Sequence, residues 1–332
     1  MLSRVLKCGL LMAASVMGLS SAAVSADPIV IRFAHVVSDD TPKGRGALLF
    51  KKLVEERLAD QVKVDVYSNS SLVGDADELQ ALLDGRVQML APSLSSFDSY
   101  TKKLQVFDLP FLFEDVAAVE RFQGRQMSIE LMNSMAPKGI HGLAYWNTGL
   151  KQFSATRPLY LPIDAKGLSF RVQDSSLLED QFVLMDADSK RLPFSQLAEA
   201  LRQKQVQGAE NTWSIIASER LAEAQPYVTE SNHGTLSYLV VSSSQFWNSL
   251  PFAVRSELEN IIAEVTQHVN AESAQLNRRA REQLQADGTR IISLTDEQRD
   301  QWRERMRPLW EQYEAEIGSD VIRAAISANR RR

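Results

Sequence analysis

Residues 251–286 read PFAVRSELENIIAEVTQHVNAESAQLNRRAREQLQA and predict one unusually long amphipathic helix. No breaker interrupts the segment, and its apolar residues keep the three- and four-residue spacing of one helix face. These residues are Val254, Leu258, Ile261, Ile262, Val265, Val269, Leu276, Ala280 and Leu284. At about 1.5 Å per residue the helix would measure roughly 50 Å, whereas a lobe of about 100–150 residues has a radius of gyration of about 13–15 Å. We therefore expect the helix to lie against two lobes; the alternative is two helices that meet near residues 270–273.

The chain before this segment alternates between strand and helix patterns. Residues 29–37 form a nearly continuous apolar run, which is typical of a strand buried in a parallel sheet. Residues 39–42 supply an N-cap and a proline for the helix that follows, and Val62, Val64 and Val66 then alternate as a second strand. Further elements are predicted at residues 77–83, 87–91, 116–135, 140–146, 168–173 and 197–202, and a C-terminal helix around residues 302–317. This order favours the α/β class, with an open and mostly parallel sheet.

A short internal similarity connects the two parts of the chain. Residues 81–88 read ALLDGRVQ and residues 200–207 read ALRQKQVQ, so that alanine, leucine, valine and glutamine recur at the same offsets. If the two segments are equivalent, each lobe contains one such helix-to-strand unit. The two strands would then place Ser93 and Asn211 at comparable carboxyl ends.

The first 26 residues have the features of a secretory signal peptide. Arg4 and Lys7 precede a short apolar run at residues 9–19, and small residues follow up to Ala26. The apolar run is shorter than the roughly 20 residues that span a bilayer, so a membrane anchor is disfavoured. We expect an exported protein that is cleaved near Ala26-Asp27.

Composition excludes several classes of function. Cys8 is the only cysteine and lies in the segment to be removed, which leaves the mature chain without disulfides, thiolate metal sites or cysteine nucleophiles. Removal of the two cations in this segment takes the formal net charge from −5 to −7. Such an acidic chain is a poor partner for nucleic acid.

Motifs of catalysis and of cofactor binding are missing from the sequence. The four histidines, His35, His141, His233 and His268, are far apart and do not form a His-Glu-x-x-His pattern. The sequence contains no phosphate-binding loop, no dinucleotide-binding glycine pattern and no nucleophile elbow. We therefore predict a binding protein that is not an enzyme and that needs neither a metal nor a cofactor.

Arg171 is the residue best suited to hold an organic anion. Its guanidinium keeps its charge and can donate two parallel hydrogen bonds to one carboxylate. In the predicted strand at residues 168–173, Ser169, Arg171 and Gln173 share the face opposite Leu168, Phe170 and Val172. The spacing alone also permits an ordinary arginine on a solvated strand face.

Several segments resemble one known family, and they occur in its order along essentially the whole mature chain. They are FAHVVSDDTPKG at residues 33–44, QMLAPSL at 88–94, FDLPFLF at 107–113, GLSFRVQ at 167–173 and ENTWS at 210–214. Together they are similar to the extracytoplasmic solute-binding proteins of TRAP transporters, and within them to the DctP type, which binds C4-dicarboxylates.

The resemblance implies a fold, a location and partners. It implies a class II-like periplasmic binding protein with two α/β lobes, crossing strands and a long helix that braces both lobes. The implied function is to capture succinate, fumarate or malate by lobe closure and to deliver it to the small and large membrane permease subunits. We expect a monomer whose first lobe comprises residues 27–148 and 237–276, and whose second lobe comprises residues 149–236 and 277–332.

The resemblance also implies roles for individual residues. Arg171 corresponds to the family's carboxylate-binding arginine, and Asn211 would offer its amide to the same carboxylate. This chain has Thr212 where the family usually has proline, which leaves the shape of that loop open. Lys151 stands where relatives place a second basic group, which could meet the other carboxylate. His35 and His233 match positions near the cleft, or are buried histidines bonded to backbone. The remaining candidate lining residues are Ser93, Phe194, Trp213 and Tyr238.

Three alternatives remain open at the level of sequence. The same fold could bind another organic acid, such as a keto, sugar or aromatic acid. The chain could act on such acids as an enzyme in the same compartment, or could sense a ligand for a membrane receptor.

Overall fold

The computed structural model describes residues 27–330 and shows a two-lobed α/β protein built on one mixed sheet. The strands are β1 (Ile29–Ala34), β2 (Val62–Tyr67), β3 (Met89–Leu90), β4 (Ile140–Ala155), β5 (Ser169–Val172), β6 (Asp188–Arg191), β7 (Gly208–Asn211), β8 (Tyr227–Ser243) and β9 (Arg290–Ser293). The helices of the first part are α1 (Pro42–Arg57), α2 (Glu78–Leu83), α3 (Val116–Gln123) and α4 (Gln126–Asn133). Those of the second part are α5 (Ser176–Val183), α6 (Leu197–Arg202), α7 (Trp213–Ser218), α8 (Ser244–Ser249), α9 (Phe252–Ala286), α10 (Asp296–Met306), α11 (Pro308–Gln312), α12 (Glu314–Ile317) and α13 (Ser319–Ala328).

The sheet runs in the order β2-β1-β3-β8-β4-β7-β5-β6, and β9 pairs with β8 outside this path. Strands β1, β2 and β3 are parallel to one another and form the sheet of the first lobe. Strands β5, β6 and β7 are also parallel and belong to the second lobe. Each lobe therefore has its own parallel strands, and their carboxyl ends supply residues to the space between the lobes.

Two long antiparallel strands, β4 and β8, connect the lobes. One end of β8 pairs with β3 in the first lobe, and its other end pairs with β9. The ladder between β4 and β8 has a register shift between Asn147 and Gly149, where Gly149 has a φ of 133°. This irregularity lies midway along the crossing strands. The lobe boundary expected from the sequence falls at the same place, between residues 148 and 149.

Helix α9 is one uninterrupted helix of 35 residues, so the alternative of two helices is wrong. Its first half buries Val254, Leu258 and Val265 against the core of the first lobe, and Leu284 near its end joins a core cluster of the second. Its polar side chains also hold the crossing strand, since Ser273 Oγ donates to the carbonyl of Thr148 over 3.1 Å. The prediction that a long helix braces both lobes is confirmed.

The internal similarity between residues 81–88 and 200–207 corresponds to two equivalent structural units. The backbone N–H of Gln88 donates to the carbonyl of Arg32, and its side-chain oxygen accepts from the N–H of Arg32. Gln207 makes the same pair of hydrogen bonds with Ser169. In each lobe a glutamine thus fixes one parallel strand beside the next, which sets the positions of the residues that follow.

Two predicted helices are divided in the structure. The expected helix at residues 116–135 is two helices, because α3 ends at Gln123 with Gly124 as its C-cap, and α4 begins only at Gln126. The expected helix around residues 302–317 is broken at Pro308, which cannot donate the backbone hydrogen bond that continuation requires.

The C-terminal helices α11 and α12 pack against the first part of the chain. Leu309, Tyr313 and Ile317 share one hydrophobic core with Phe107 and Phe122 of the first part of the chain. The segment assigned to the second lobe thus returns across the molecule after α10, which no local pattern could indicate. Within residues 27–330, no helix is both long and apolar enough to cross a membrane; the predicted signal peptide lies outside the described residues.

Candidate functional site

A cavity of about 280 Å³ lies between the two lobes. The first lobe supplies residues from the ends of β1 and β3 and from α1 and α2, and the second supplies residues from β5, β7 and the loop after β6. The lining residues are Val36, Val37, Lys43, Asp75, Ala76, Glu78, Ser93, Ser96, Arg171, Gln173, Asp174, Arg191, Leu192, Pro193, Phe194, Asn211, Leu236 and Tyr238. The volume is just below the range of about 300–1,000 Å³ that is typical of sites for drug-sized molecules, so a smaller ligand is indicated.

Arg171 enters the cavity from β5, where its side chain is only 3% exposed. Its Nε donates to the carbonyl of Leu192 over 2.9 Å, which holds the guanidinium in one orientation. Its Nη2 is buried and has no hydrogen-bond partner among the described residues. Burial lowers the pKa of Arg171, although the group remains a cation at any pH of interest. The structure therefore presents a fixed, charged donor to the cavity.

Asn211 ends β7 and lies beside Arg171 in the cavity wall. The residue is 5% exposed, and its amide nitrogen Nδ2 has no hydrogen-bond partner within residues 27–330. Thr212 follows with a φ of −75°, within the range that a proline would impose. The departure from the family pattern at this position therefore leaves the local backbone in a shape that proline would also adopt.

Asp75 reaches Arg171 and Phe194 from the opposite lobe. Its Oδ2 lies 3.6 Å from Arg171 Nη2 and accepts a 2.9 Å hydrogen bond from the backbone N–H of Phe194. The ring of Phe194 in turn stands 5.9 Å from the guanidinium carbon of Arg171. These contacts bring the two lobes together at one edge of the cavity.

Lys43 and Glu78 are charged lining residues that the sequence did not single out. Lys43 is 1% exposed and Glu78 is 2% exposed. Burial lowers the pKa of Lys43 to about 8, against the opposing effect of Glu78 and Asp75, and burial raises the pKa of Glu78 to about 8. Lys43 follows Pro42 at the start of α1, where a lysine usually belongs to the helix surface. Only the packing of α1 against the sheet shows that it points inward.

Lys151 and His233 are buried beside the cavity but do not line it. Lys151 Nζ lies 2.5 Å from Glu210 Oε1, and His233 Nε2 lies 2.8 Å from Glu210 Oε2. Burial would raise the pKa of Glu210, but Lys151 and His233 outweigh it and keep this pKa well below its usual range. Burial lowers the pKa of His233. In this structure Lys151 is thus held in an ion pair within the protein.

His35 and Trp213 also lie outside the lining of the cavity. His35 is buried beneath the end of β1, and burial together with the charge of Lys43 lowers its pKa to about 3. Trp213 belongs to a hydrophobic cluster with Leu201 and Ile216, and the guanidinium of Arg281 lies over its ring at 5.7 Å. Of the residues proposed from sequence, the structure brings five together around the cavity: Ser93, Arg171, Phe194, Asn211 and Tyr238.

Comparison with known proteins agrees with this architecture. Residues 33–316 match the family model described as bacterial extracellular solute-binding protein, family 7. The chain belongs to this family. It is 44% identical over 326 residues to the C4-dicarboxylate-binding periplasmic protein DctP of Vibrio cholerae, an alignment that covers 97% of this chain and 98% of the relative.

Two solved structures of TRAP periplasmic solute-binding proteins show the same fold. The protein of Shewanella oneidensis, with bound succinate, has a TM-score of 0.90 and 45% identity, and the match covers 91% of this chain and all of that one. The protein of Pseudomonas aeruginosa, with bound L-malate, has a TM-score of 0.85 and 57% identity, and the match covers 86% of this chain and all of that one. The family prediction and the two-lobed fold class are confirmed.

Proposed function

We propose that this protein is the periplasmic solute-binding subunit of a TRAP transporter and that it captures a C4-dicarboxylate between its lobes. The protein binds succinate, fumarate or malate and performs no chemical step on it. The first 26 residues direct its export and are removed.

One observation carries the proposal: two buried donors of residues that line the cavity, Arg171 Nη2 and Asn211 Nδ2, have no hydrogen-bond partner among the described residues. A buried donor left unpaired costs roughly 1–3 kcal/mol, and more when it is charged. A carboxylate placed between them would pair both at once, with the short hydrogen bonds typical of charged groups. The relatives with bound succinate and L-malate support the choice of a small dicarboxylate.

Capture requires the lobes to close. Because the donors belong to the second lobe and Lys43, Asp75 and Ser93 to the first, only the closed arrangement contacts a ligand from both sides. A ligand with this differential affinity shifts the population toward the closed form. The closed monomer is then the form that docks on the membrane permease subunits and releases its ligand to them.

A thermal-shift panel tests the proposal. Succinate, fumarate and malate should each raise the melting temperature of the mature chain, because ligand at about 100 times its dissociation constant adds roughly 2.7 kcal/mol of stability. Arg171→Ala should abolish the shift and remain folded. The control Arg157→Ala removes an exposed arginine that bonds only to the carbonyls of Asp164 and Lys166, and should keep the full shift.

Two results would contradict the proposal. One is an undiminished shift in Arg171→Ala, and the other is a wild-type chain stabilised only by unrelated acids. Chromatography of the malate and fumarate recovered after incubation should show no conversion, which separates a binding protein from an enzyme.

A further inference from the structure

A dicarboxylate has a second negative end, and the position of Lys151 leaves the partner of this end unassigned. Lys151 is 2% exposed and already paired with Glu210 at 2.5 Å, outside the cavity lining. Breaking this pair would leave an uncompensated charge in the interior, which is strongly unfavourable. Another positive group of the cavity is therefore a better candidate to meet the second carboxylate.

Lys43 has the required position. It lines the cavity from the first lobe, whereas Arg171 lines it from the second. Its Nζ donates to the carbonyl of Ala91 over 3.1 Å and lies 3.8 Å from the centre of the Tyr238 ring. These contacts hold the ammonium in place but use only one of its three hydrogen-bond donors on an oxygen.

We propose that Lys43 binds the second carboxylate and thereby makes the site selective for dianions. This inference rests on the proposed function and names the residue that distinguishes a dicarboxylate from a monocarboxylate. The ligand would then span the cleft, with one end on Arg171 and Asn211 and the other on Lys43.

The charges around the cavity favour an anionic ligand. Burial raises the pKa of Glu78, which disfavours a negative charge on this carboxyl. Burial lowers the pKa of Lys43, and a nearby anion would oppose this effect and favour the charged ammonium. Asp75 pairs with Arg171, and an anionic ligand would add a partner for Lys43.

The other lining cation is less suited to this role. Arg191 is 41% exposed and already pairs with Asp174 at 2.7 Å and with Glu179 at 2.5 Å. Because the guanidinium of Arg191 is exposed to water and already has two carboxylate partners, a contact with a ligand carboxylate would add little to the binding free energy. Lys43 is fully enclosed, so a contact with its ammonium would be worth more than the same contact at the surface.

The test compares succinate with succinamate, in which the second carboxylate is replaced by a neutral amide. Calorimetric titration of the mature wild-type chain should give tighter binding of succinate by about 10- to 100-fold, the range expected for a hydrogen bond to a charged group. In Lys43→Met this preference should disappear, so that the variant binds succinate about as weakly as the wild type binds succinamate. Lys43→Gln keeps a donor for the carbonyl of Ala91 and serves as the second variant if Lys43→Met fails to fold.

The outcomes separate the two proposals. A Lys43 variant that is folded and retains wild-type preference for succinate would overturn the role of Lys43. The same conclusion follows if Lys151→Met loses the preference while the Lys43 variants keep it. If the wild type binds neither compound, the proposed function itself fails.

Discussion

At the scale of single residues, Lys151, Glu210 and His233 form a buried charged group beside the cavity. A lysine and a glutamate therefore serve a structural role here, whereas Lys43 and Glu78 line the cavity itself. Glu210 precedes Asn211 in β7, so the ion pair fixes the strand that presents the amide to the cavity. Both charges of the pair are enclosed, with side-chain exposures of 2% and 3%. We infer that this group stabilises the position of β7 and thereby of Asn211 in the cavity wall.

Loss of one partner in this group should therefore lower stability. We expect Lys151→Met to reduce the free energy of unfolding by about 3–5 kcal/mol, because Glu210 would be left as a buried and only partly compensated charge. Urea unfolding followed by circular dichroism gives this value. The matched control is Lys52→Met, which removes an exposed pair with Glu56 at 3.8 Å and should change stability little. Equal effects of the two variants would contradict the structural role.

The candidate site was only partly predictable from sequence, for a physical reason. Arg171 and Asn211 stand in motifs that end strands, and such positions meet at one edge of a sheet. Lys43 and Asp75 carry no comparable local pattern: one begins a helix and the other lies in a loop. Their place in the cavity depends on how α1 and α2 pack, which only tertiary structure determines.

At the scale of elements, the close packing of α1 against α9 depends on Gly46. A Cβ at this position would lie 2.5 Å from Val269 Cγ2 and 3.0 Å from Trp146 Cζ3. Val269 is β-branched and cannot easily move its methyl group away. The glycine thus lets the long helix approach the first lobe closely.

Gly46→Ala should therefore destabilise the protein by about 1–3 kcal/mol through overpacking. Gly124→Ala is the control, since its Cβ would meet the carbonyl oxygens of Glu120 at 3.5 Å and of Arg121 at 3.9 Å, which are ordinary contacts. Differential scanning calorimetry of both variants measures the difference. If Gly46→Ala melts at or above the temperature of the wild type, α1 and α9 do not pack as closely as described.

Local patterns predicted the separate elements better than their connections. The apolar stripe of α9 and the alternation in β2 follow from periodicity alone. The pairing of β4 with β8 joins residues about 90 positions apart, for example Trp146 with Tyr238. Such pairing depends on the assembled sheet, so the sequence predicted a mostly parallel arrangement and missed the antiparallel centre.

At the scale of the whole molecule, the two lobes meet across the cleft through several polar contacts. Asp98 of the first lobe accepts a 3.2 Å hydrogen bond from the hydroxyl of Ser176 in the second, and Asp75 accepts one from Phe194. The lobes are also joined by β4, β8 and α9. A ligand that bonds to both lobes would add to these contacts.

The most direct test of this account is a crystal structure of the mature chain with succinate. We expect one carboxylate to lie about 2.7–2.9 Å from Arg171 Nη2, with Asn211 Nδ2 donating to it, and the succinate to bridge both lobes. Succinate bound elsewhere on the protein, or held in the cleft without contact to Arg171, would contradict the central claim.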